Sequence, residues 1–489
     1  MQTLPYAGCL IGAAAALTGC ASKQEEKTEP LRPNVIYIMA DDLGISDVEP
    51  YGQTIIHTPN LNRLRDRGTR FTQCYAGTAV SAPSRCSLMT GLHTGHASVR
   101  GNKAVDPEGQ VAMPDSTFTM ATMFKEQGYA TGCFGKWGLG YPGSVSDPTK
   151  VGFDRFFGYN CQTLAHDYYP DHLWNGLERI DLPQNYDQQE VTYSADTIHA
   201  EALRFICDHA RQPFFTFLSY TLPHAELRLP QDSVFQSYCR EIPETDEVPF
   251  VCPNPNKKGA YGSTDRPLAA FASMVTRMDK YVGDVMDLLD SLGIAENTLL
   301  IFTSDNGPHK EGGAKPDYFR SYGPYRGIKR DLYEGGIRMP MIMSYPGHVA
   351  AGQDNDHMMA FWDMLPTFAE LAGYQKPLHT DGISFVPALL GKEGQQEHEY
   401  LYWEFHEQNG KQAVRMGNWK GIRLEVGTGE PVFELYDLSS DLHEDHNVAD
   451  QHPDVAARLE QLIDQCHEPS ALFDFGREPG GKLKPKNKR

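Results

Sequence analysis

The sequence predicts an α/β fold: a large mixed, mostly parallel β-sheet sandwiched by helices, with a smaller α+β subdomain at the C-terminal end. Three observations carry this prediction. Four short apolar runs each break off into polar residues. Amphipathic helical stretches lie between them. Beyond about residue 390 the texture changes to short strand-like runs and one closing helix.

Residues 34–40 (NVIYIMA) end at Asp41-Asp42, and residues 129–134 lead into Gly135-Lys136-Trp137. Residues 214–220 (FFTFLSY) lead to Pro223-His224, and residues 299–303 to Ser304-Asp305-Asn306-Gly307. Each run is short and rich in β-branched or aromatic residues, as a strand covered on both faces should be. In residues 271–292 the apolar positions are 271, 274, 275, 278, 281, 282, 285, 288, 289 and 292. That spacing gives one buried helix face, which Gly293 stops. Residues 195–210 form a similar helix before the 214–220 strand. Alternating helices and strands argue for a largely parallel sheet, whose ligands bind beyond the carboxyl ends of its strands. Here those ends carry carboxylates, an Asn, a Lys and a His. Residues 400–405 and 432–438 read as strands of the subdomain and 455–466 as its helix. The expected divisions are 33–390 for the main domain, 391–475 for the subdomain and 476–489 for a basic, disordered tail.

The chain has 489 residues, with 44 Lys+Arg against 64 Asp+Glu and a net charge of −20. This excludes a general nucleic-acid binder, which carries a basic footprint. It leaves room for a small anionic substrate in a local basic pocket. With 40% hydrophobic and 22% charged residues, the composition is that of an ordinary globular protein.

Residues 7–16 are apolar and small and run into Leu17-Thr18-Gly19-Cys20. Residues 1–19 therefore read as an export signal and residues 20–32 as a polar tether. No Lys or Arg precedes the apolar stretch. Leu-Thr-Gly-Cys resembles a bacterial lipoprotein cleavage box. The resemblance implies a lipidated Cys20 and an exported protein, anchored to the outer membrane or facing the periplasm. None of the 10 cysteines has zinc-site spacing. Cys239 and Cys252 bracket a polar loop and are the candidate disulfide pair of an exported protein.

Asp41, Asp42, Asp305 and Asn306 offer only oxygen donors, the preference of Ca²⁺ and Mg²⁺. Adjacent carboxylates repel each other unless a cation lies between them. A solvated turn is the competing reading of Asp41-Asp42. In residues 81–91 (SAPSRCSLMTG), Pro83 suits a helix first turn and places Ser81 at the positive end. An anion there would meet backbone N–H groups and Arg85.

The pattern S-x-P-S-R-x-x-L-x-T-G in this segment resembles the signature of type I sulfatases, a family with the alkaline phosphatase-like fold. The resemblance extends over residues 33–44 (PNVIYIMADDLG), 128–140, 304–307 (SDNG), 327–338 (GIKRDLYEGGIR) and 433–438 (FELYDL). It implies that Ser81 is oxidised to formylglycine by a radical-type maturating enzyme, before folding and export. Asp41, Asp42, Asp305 and Asn306, with residue 81, would hold Ca²⁺, Mg²⁺ being the weaker candidate. Arg85 and Lys136 would steady residue 81. Lys329 and His224 would bind the sulfate ester, with His224 near the leaving oxygen. One hydroxyl of the aldehyde hydrate would attack sulfur, His224 would protonate the departing alcohol, and the second hydroxyl would expel sulfate. A cation with Lys and Arg would neutralise the ester's anionic oxygens.

One position departs from the family. Its second signature commonly reads G-K-W-H, and here Gly138 follows Trp137. His309 and His96 are the candidate substitutes for the missing histidine. His166-Asp167-Tyr168-Tyr169 follows the strand-like run at 156–159 and offers polar groups with an aromatic platform for a sugar. Arg326 and Trp403-Glu404 are further candidates. An exported, anchored sulfatase implies a sulfated glycan substrate, with galactose or hexosamine sulfate the first guess. The rival readings are a phosphomonoesterase or phosphodiesterase of the same superfamily, using unmodified Ser or Thr, and an inactive glycan-binding protein.

Overall fold

A computed structural model describes residues 31–475 except 256 and 258. The export signal, Cys20, most of the tether and the tail at 476–489 lie outside the described residues.

The main sheet has 11 strands among the described residues. Those used below are β1 (Asn34–Ala40), β2 (Thr69–Tyr75), β3 (Ala130–Lys136), β4 (Arg155–Tyr159), β5 (His172–Asn175) and β6 (Glu178–Asp181). They are joined by β7 (Phe214–Ser219), β8 (Thr298–Ser304), β9 (Arg338–Ser344), β10 (Gln353–Asn355) and β11 (Met359–Ala360). The order is β10-β2-β9-β8-β1-β7-β3-β4-β5-β6, with β11 beside β2. The run β8-β1-β7-β3-β4 is parallel throughout. Antiparallel pairing enters at both flanks, where β9 joins β8 to β2 and β5 joins β4 to β6. β9 was not legible as a strand: three of its seven residues are Met, and Pro340 lies inside it.

Side-chain alternation splits the core into two layers. Ile36, Ile38, Leu300 and Phe302 face one cluster, which the helices Ser194–His209 and Pro267–Leu292 cover. Val35, Tyr37, Met39, Leu299 and Ile301 face the other, covered by the helices Ser81–Thr90, Met120–Glu126 and Met364–Ala372. Both faces of the central strands are apolar for this reason.

A second sheet is antiparallel: β12 (Leu401–Phe405), β13 (Lys411–Met416), β14 (Trp419–Leu424) and β15 (Val432–Asp437). One face packs under the helix Pro453–Cys466 through Tyr402, Val414 and Leu435. The other face presents Trp403, Phe405 and Ile422 to Tyr75, Leu332 and Trp362 of the main body. A fully buried charge cluster joins the two parts: Lys420 lies 2.8 Å from Glu334 and 3.1 Å from Glu444. The expected disulfide is not formed. Cys239 sits on the helix Ser233–Glu241, Cys252 lies in a later loop, and both thiols are free.

Candidate functional site

The site forms where parallel strands end, and the ladder continues into it. Asp42 N–H donates to Asp305 Oδ1 at 3.1 Å, and Leu43 N–H to Ser304 Oγ at 2.9 Å. These bonds lock the acidic residues after β1 beside those after β8. Asp42 has φ 63°, a left-handed conformation that costs a non-glycine residue energy and is tolerated where geometry matters.

Ser81 is the first residue of the fully buried helix Ser81–Thr90. Its hydroxyl donates to Asp41 Oδ1 at 2.9 Å and accepts from Lys136 Nζ at 3.2 Å. Lys136, the last residue of β3, also donates to Asp41 Oδ2 at 2.6 Å. Arg85, one turn into the helix, donates to Asp305 Oδ2 at 2.9 Å and to the Lys136 carbonyl, also at 2.9 Å, and lies 3.5 Å from Asp41 Oδ2. Burial would raise the Asp41 carboxyl, but Lys136 and Arg85 outweigh it and hold Asp41 well below the usual range. Asp305 goes the other way: burial and neighbouring Asp41 push it up to about 7.

Crowded carboxylates of this kind suit a cation, and one atom makes the case specific. Asn306 Oδ1 is buried with no hydrogen-bond partner, while its Nδ2 donates to Asp42 Oδ1 at 2.7 Å. A buried amide oxygen left unpaired among Asp41, Asp42 and Asp305 is costly unless it meets an ion. Asp41, Asp42, Asp305 and Asn306 thus fit a hard divalent cation.

Lys329 and His224 stand on the other side of Asp42. Lys329 Nζ lies 2.7 Å from Asp42 Oδ2, 3.0 Å from Glu311 Oε2 and 3.2 Å from His224 Nε2. Burial opposes its charge, but Asp42 and Glu311 overcome this and keep the ammonium strongly protonated. His224 Nδ1 donates to the Ala225 carbonyl, leaving Nε2 to accept from Lys329. Burial and the Lys329 charge hold His224 well below its ordinary value, so its ring is neutral.

Several expected residues do other work. His309 is buried with both nitrogens committed, Nε2 to the Pro223 carbonyl at 3.2 Å and Nδ1 to the Glu311 N–H at 3.2 Å. It packs behind His224 at 5.8 Å between rings and has no free atom for substrate. Arg326 stacks on Tyr333 at 4.0 Å and donates to the Glu444 carbonyl, so it ties the subdomain down. Trp403 Nε1–H is bonded to the Ala76 carbonyl, and Glu404 is enclosed by His406 and His467. His96 pairs with Asp381 at 2.8 Å, beyond the far end of the Ser81 helix.

His166 does reach the site. Its ring stacks on His224 at 5.1 Å. Nδ1 bonds the Gly259 carbonyl at 3.0 Å, and among the described residues Nε2 has no hydrogen-bond partner. Burial lowers its pKa to about 4, so Nε2 is an acceptor at neutral pH. Tyr168 is no platform: it is buried, and its hydroxyl supports the Thr221 and His224 carbonyls. The aromatic ring beside His166 is Tyr261, at 4.9 Å, a loop residue with no local sequence signal. Glu311 was also missed, although it follows Asn306 by five residues. Beside Gly138, where a side chain would begin, stands Gln162, 3.4 Å from an ideal Cβ. Gln162 Nε2 donates to Asn102 Oδ1, which also accepts the Ala82 N–H next to Ser81.

Comparison with known proteins shows the family of the chain. The sulfatase family model matches residues 33–374, and a model for the C-terminal part of N-sulphoglucosamine sulphohydrolase matches residues 325–469. The chain is 30% identical to an N-acetylgalactosamine-6-O-sulfatase of Bacteroides thetaiotaomicron, over 93% of this chain and 97% of that one. It is 29% identical to arylsulfatase A of Bos taurus, over 90% and 88%. A crystal structure of Ps i-CgsB in complex with k-i-k-neocarrahexaose superposes with TM-score 0.74 at 26% identity, covering 92% of this chain and 95% of that one. The chain belongs to the sulfatase family and is a sulfuric ester hydrolase with the alkaline phosphatase-like fold.

Proposed function

We propose that this sulfatase removes sulfate from glycans, with a galactose or hexosamine sulfate as the reacting unit. The observation that carries the reading is Ser81, held between Asp41 and Lys136 beside an oxygen-lined cation site. The relatives named for N-acetylgalactosamine-6-sulfate support the choice of sugar.

In this reading Ser81 is converted to formylglycine by a radical-type maturating enzyme, which supplies the nucleophile. Asp41, Asp42, Asp305, Asn306 and residue 81 hold Ca²⁺, which when bound neutralises charge on the sulfate oxygens. Lys136 steadies residue 81 and Lys329 binds sulfate. Arg85 acts indirectly, by fixing Asp305 and the end of β3. The neutral His224 ring accepts from Lys329 at Nε2, so His224 must first take a proton at that atom before it can give one to the leaving oxygen. Gln162 stands beside Gly138, where the histidine is absent, and bonds Asn102, which braces the backbone after Ser81.

The N-terminal sequence supports export and lipid attachment at Cys20. Cys20→Ala should move the protein from membrane to soluble fractions; a wild type already soluble would remove the anchor from the reading. The function itself is tested by sulfate release from a panel of sulfated sugars, with a small aryl sulfate alongside. Absence of release from every sugar, with aryl sulfate turned over, would overturn the glycan assignment.

A further inference from the structure

His166 and Tyr261 form part of the wall of a cavity of about 630 Å³, within the ~300–1,000 Å³ range of small-ligand sites. The cavity adjoins the catalytic groups, because His166 stacks on His224 and Tyr261 lies 6.0 Å from the same ring. It is the cavity toward which the alcohol of an ester held at Lys136 and Lys329 would project past His166.

The chemistry of the lining reverses that of the sulfate subsite. Among the described residues, the carboxylates Glu108, Asp167, Asp171, Glu190 and Glu226 face two cations, Arg228 and Lys257. Arg228 is already spent: it pairs with Glu190 and lies 3.4 Å from Glu226. His172 bridges Glu108, at 3.0 Å, and Asp171, at 2.5 Å. Lys257 and His172, whose protonated form Glu108 and Asp171 favour, offset two more carboxylates, so the excess among the described residues is at most two negative charges. Burial with neighbouring carboxylates also raises Asp167 and Glu226, Glu226 to about 7, which trims that excess further.

A sugar hydroxyl or amide N–H can donate to such carboxylates. A second sulfate, or a uronate carboxylate, would instead sit among like charges, which repel it. We propose that this acidic chamber selects a saccharide that carries one sulfate and is otherwise uncharged on the ring that fills it. The inference rests on the glycan-sulfatase reading and adds the charge class of the substrate.

The test compares kcat/KM for a singly sulfated hexose or hexosamine with that for its disulfated counterpart, at low and high salt. A small aryl sulfate reports separately whether the sulfate chemistry works. The expected result is a preference of about tenfold or more for the singly sulfated sugar, equal to ~1.4 kcal/mol. The preference should narrow at high salt, as screening predicts. Glu190→Gln and, as an independent second variant, Asp171→Asn should each shift the ratio toward the disulfated sugar. Equal or better turnover of the disulfated sugar by the wild type, or ratios unmoved in both variants, would overturn the proposal. Aryl sulfate turnover with neither sugar hydrolysed would instead overturn the glycan reading beneath it.

Discussion

Ser81 Oγ donates to Asp41 Oδ1 at 2.9 Å, so the first residue of a helix and the first residue beyond β1 meet across 40 positions of chain. The contact places a hydroxyl against a carboxylate that neighbouring cations keep ionised. It also brings that hydroxyl within 3.2 Å of Lys136 Nζ.

Ser81→Ala should abolish sulfate release while leaving the fold intact. The Ser81 side chain caps no backbone N–H, and even a lost cap costs at most ~2 kcal/mol. Mass analysis of the wild-type peptide containing residue 81 should find it lighter than the serine form by two hydrogen atoms. An unmodified serine in active enzyme would refute the formylglycine assignment.

Ca²⁺ should raise the melting temperature of the wild type, because a ligand at 100 times its Kd adds about 2.7 kcal/mol of stability. Asp305→Ala should lose this increment and the activity together. Stabilisation by Ca²⁺ that survives in Asp305→Ala would place the ion elsewhere.

His166→Ala should lower kcat/KM on the glycan about 10- to 1000-fold, or ~1.4–4 kcal/mol. A small aryl sulfate lacks the sugar hydroxyl that His166 Nε2 would accept and should lose much less. Equal losses on both substrates would assign His166 to the support of His224.

Lys420→Met should destabilise the protein by about 3–5 kcal/mol, because it leaves Glu444 buried without its cation and leaves Glu334 only Arg338, at 3.1 Å. Burial and Glu334 already push Glu444 up to about 7. Denaturant unfolding followed by Trp fluorescence would measure the loss. A change under 1 kcal/mol would show that water reaches the cluster.

Asp47 gives the protein a pH signature away from the catalytic residues. Burial raises it to about 7 from 3.8, although the Gly44 N–H bonds it at 2.7 Å. Its neutral form therefore favours the fold. That contribution is complete below the unfolded value and is lost as pH rises through about 7. The melting temperature should fall between about pH 4 and pH 7 and level off above, and the fall should be shallower in Asp47→Asn. Parallel profiles for the two proteins would show that other groups set the trend.

The sequence by itself determined the strands and the chemistry at their ends. An apolar run such as residues 34–40 announces a doubly covered strand through local composition alone, and the adjacent Asp41-Asp42 shares its position. The motif at residues 81–91 was legible for the same reason: its chemistry and spacing lie within one helix. The tertiary structure decided which loops reach that chemistry. Tyr261 lies 95 residues from His166 in sequence, and Gln162 lies 24 residues from Gly138, so no local pattern could place either one. His309 and Arg326 have the right residue types at plausible spacings, yet folding spends their donors on the Pro223 and Glu444 carbonyls. Strand β9, with Pro340 and three Met among its seven residues, became a strand only because β8 and β2 stood on either side to pair with it. Periodicity and donor chemistry are properties of short segments, whereas the partner that satisfies a buried polar atom is fixed only when distant segments pack.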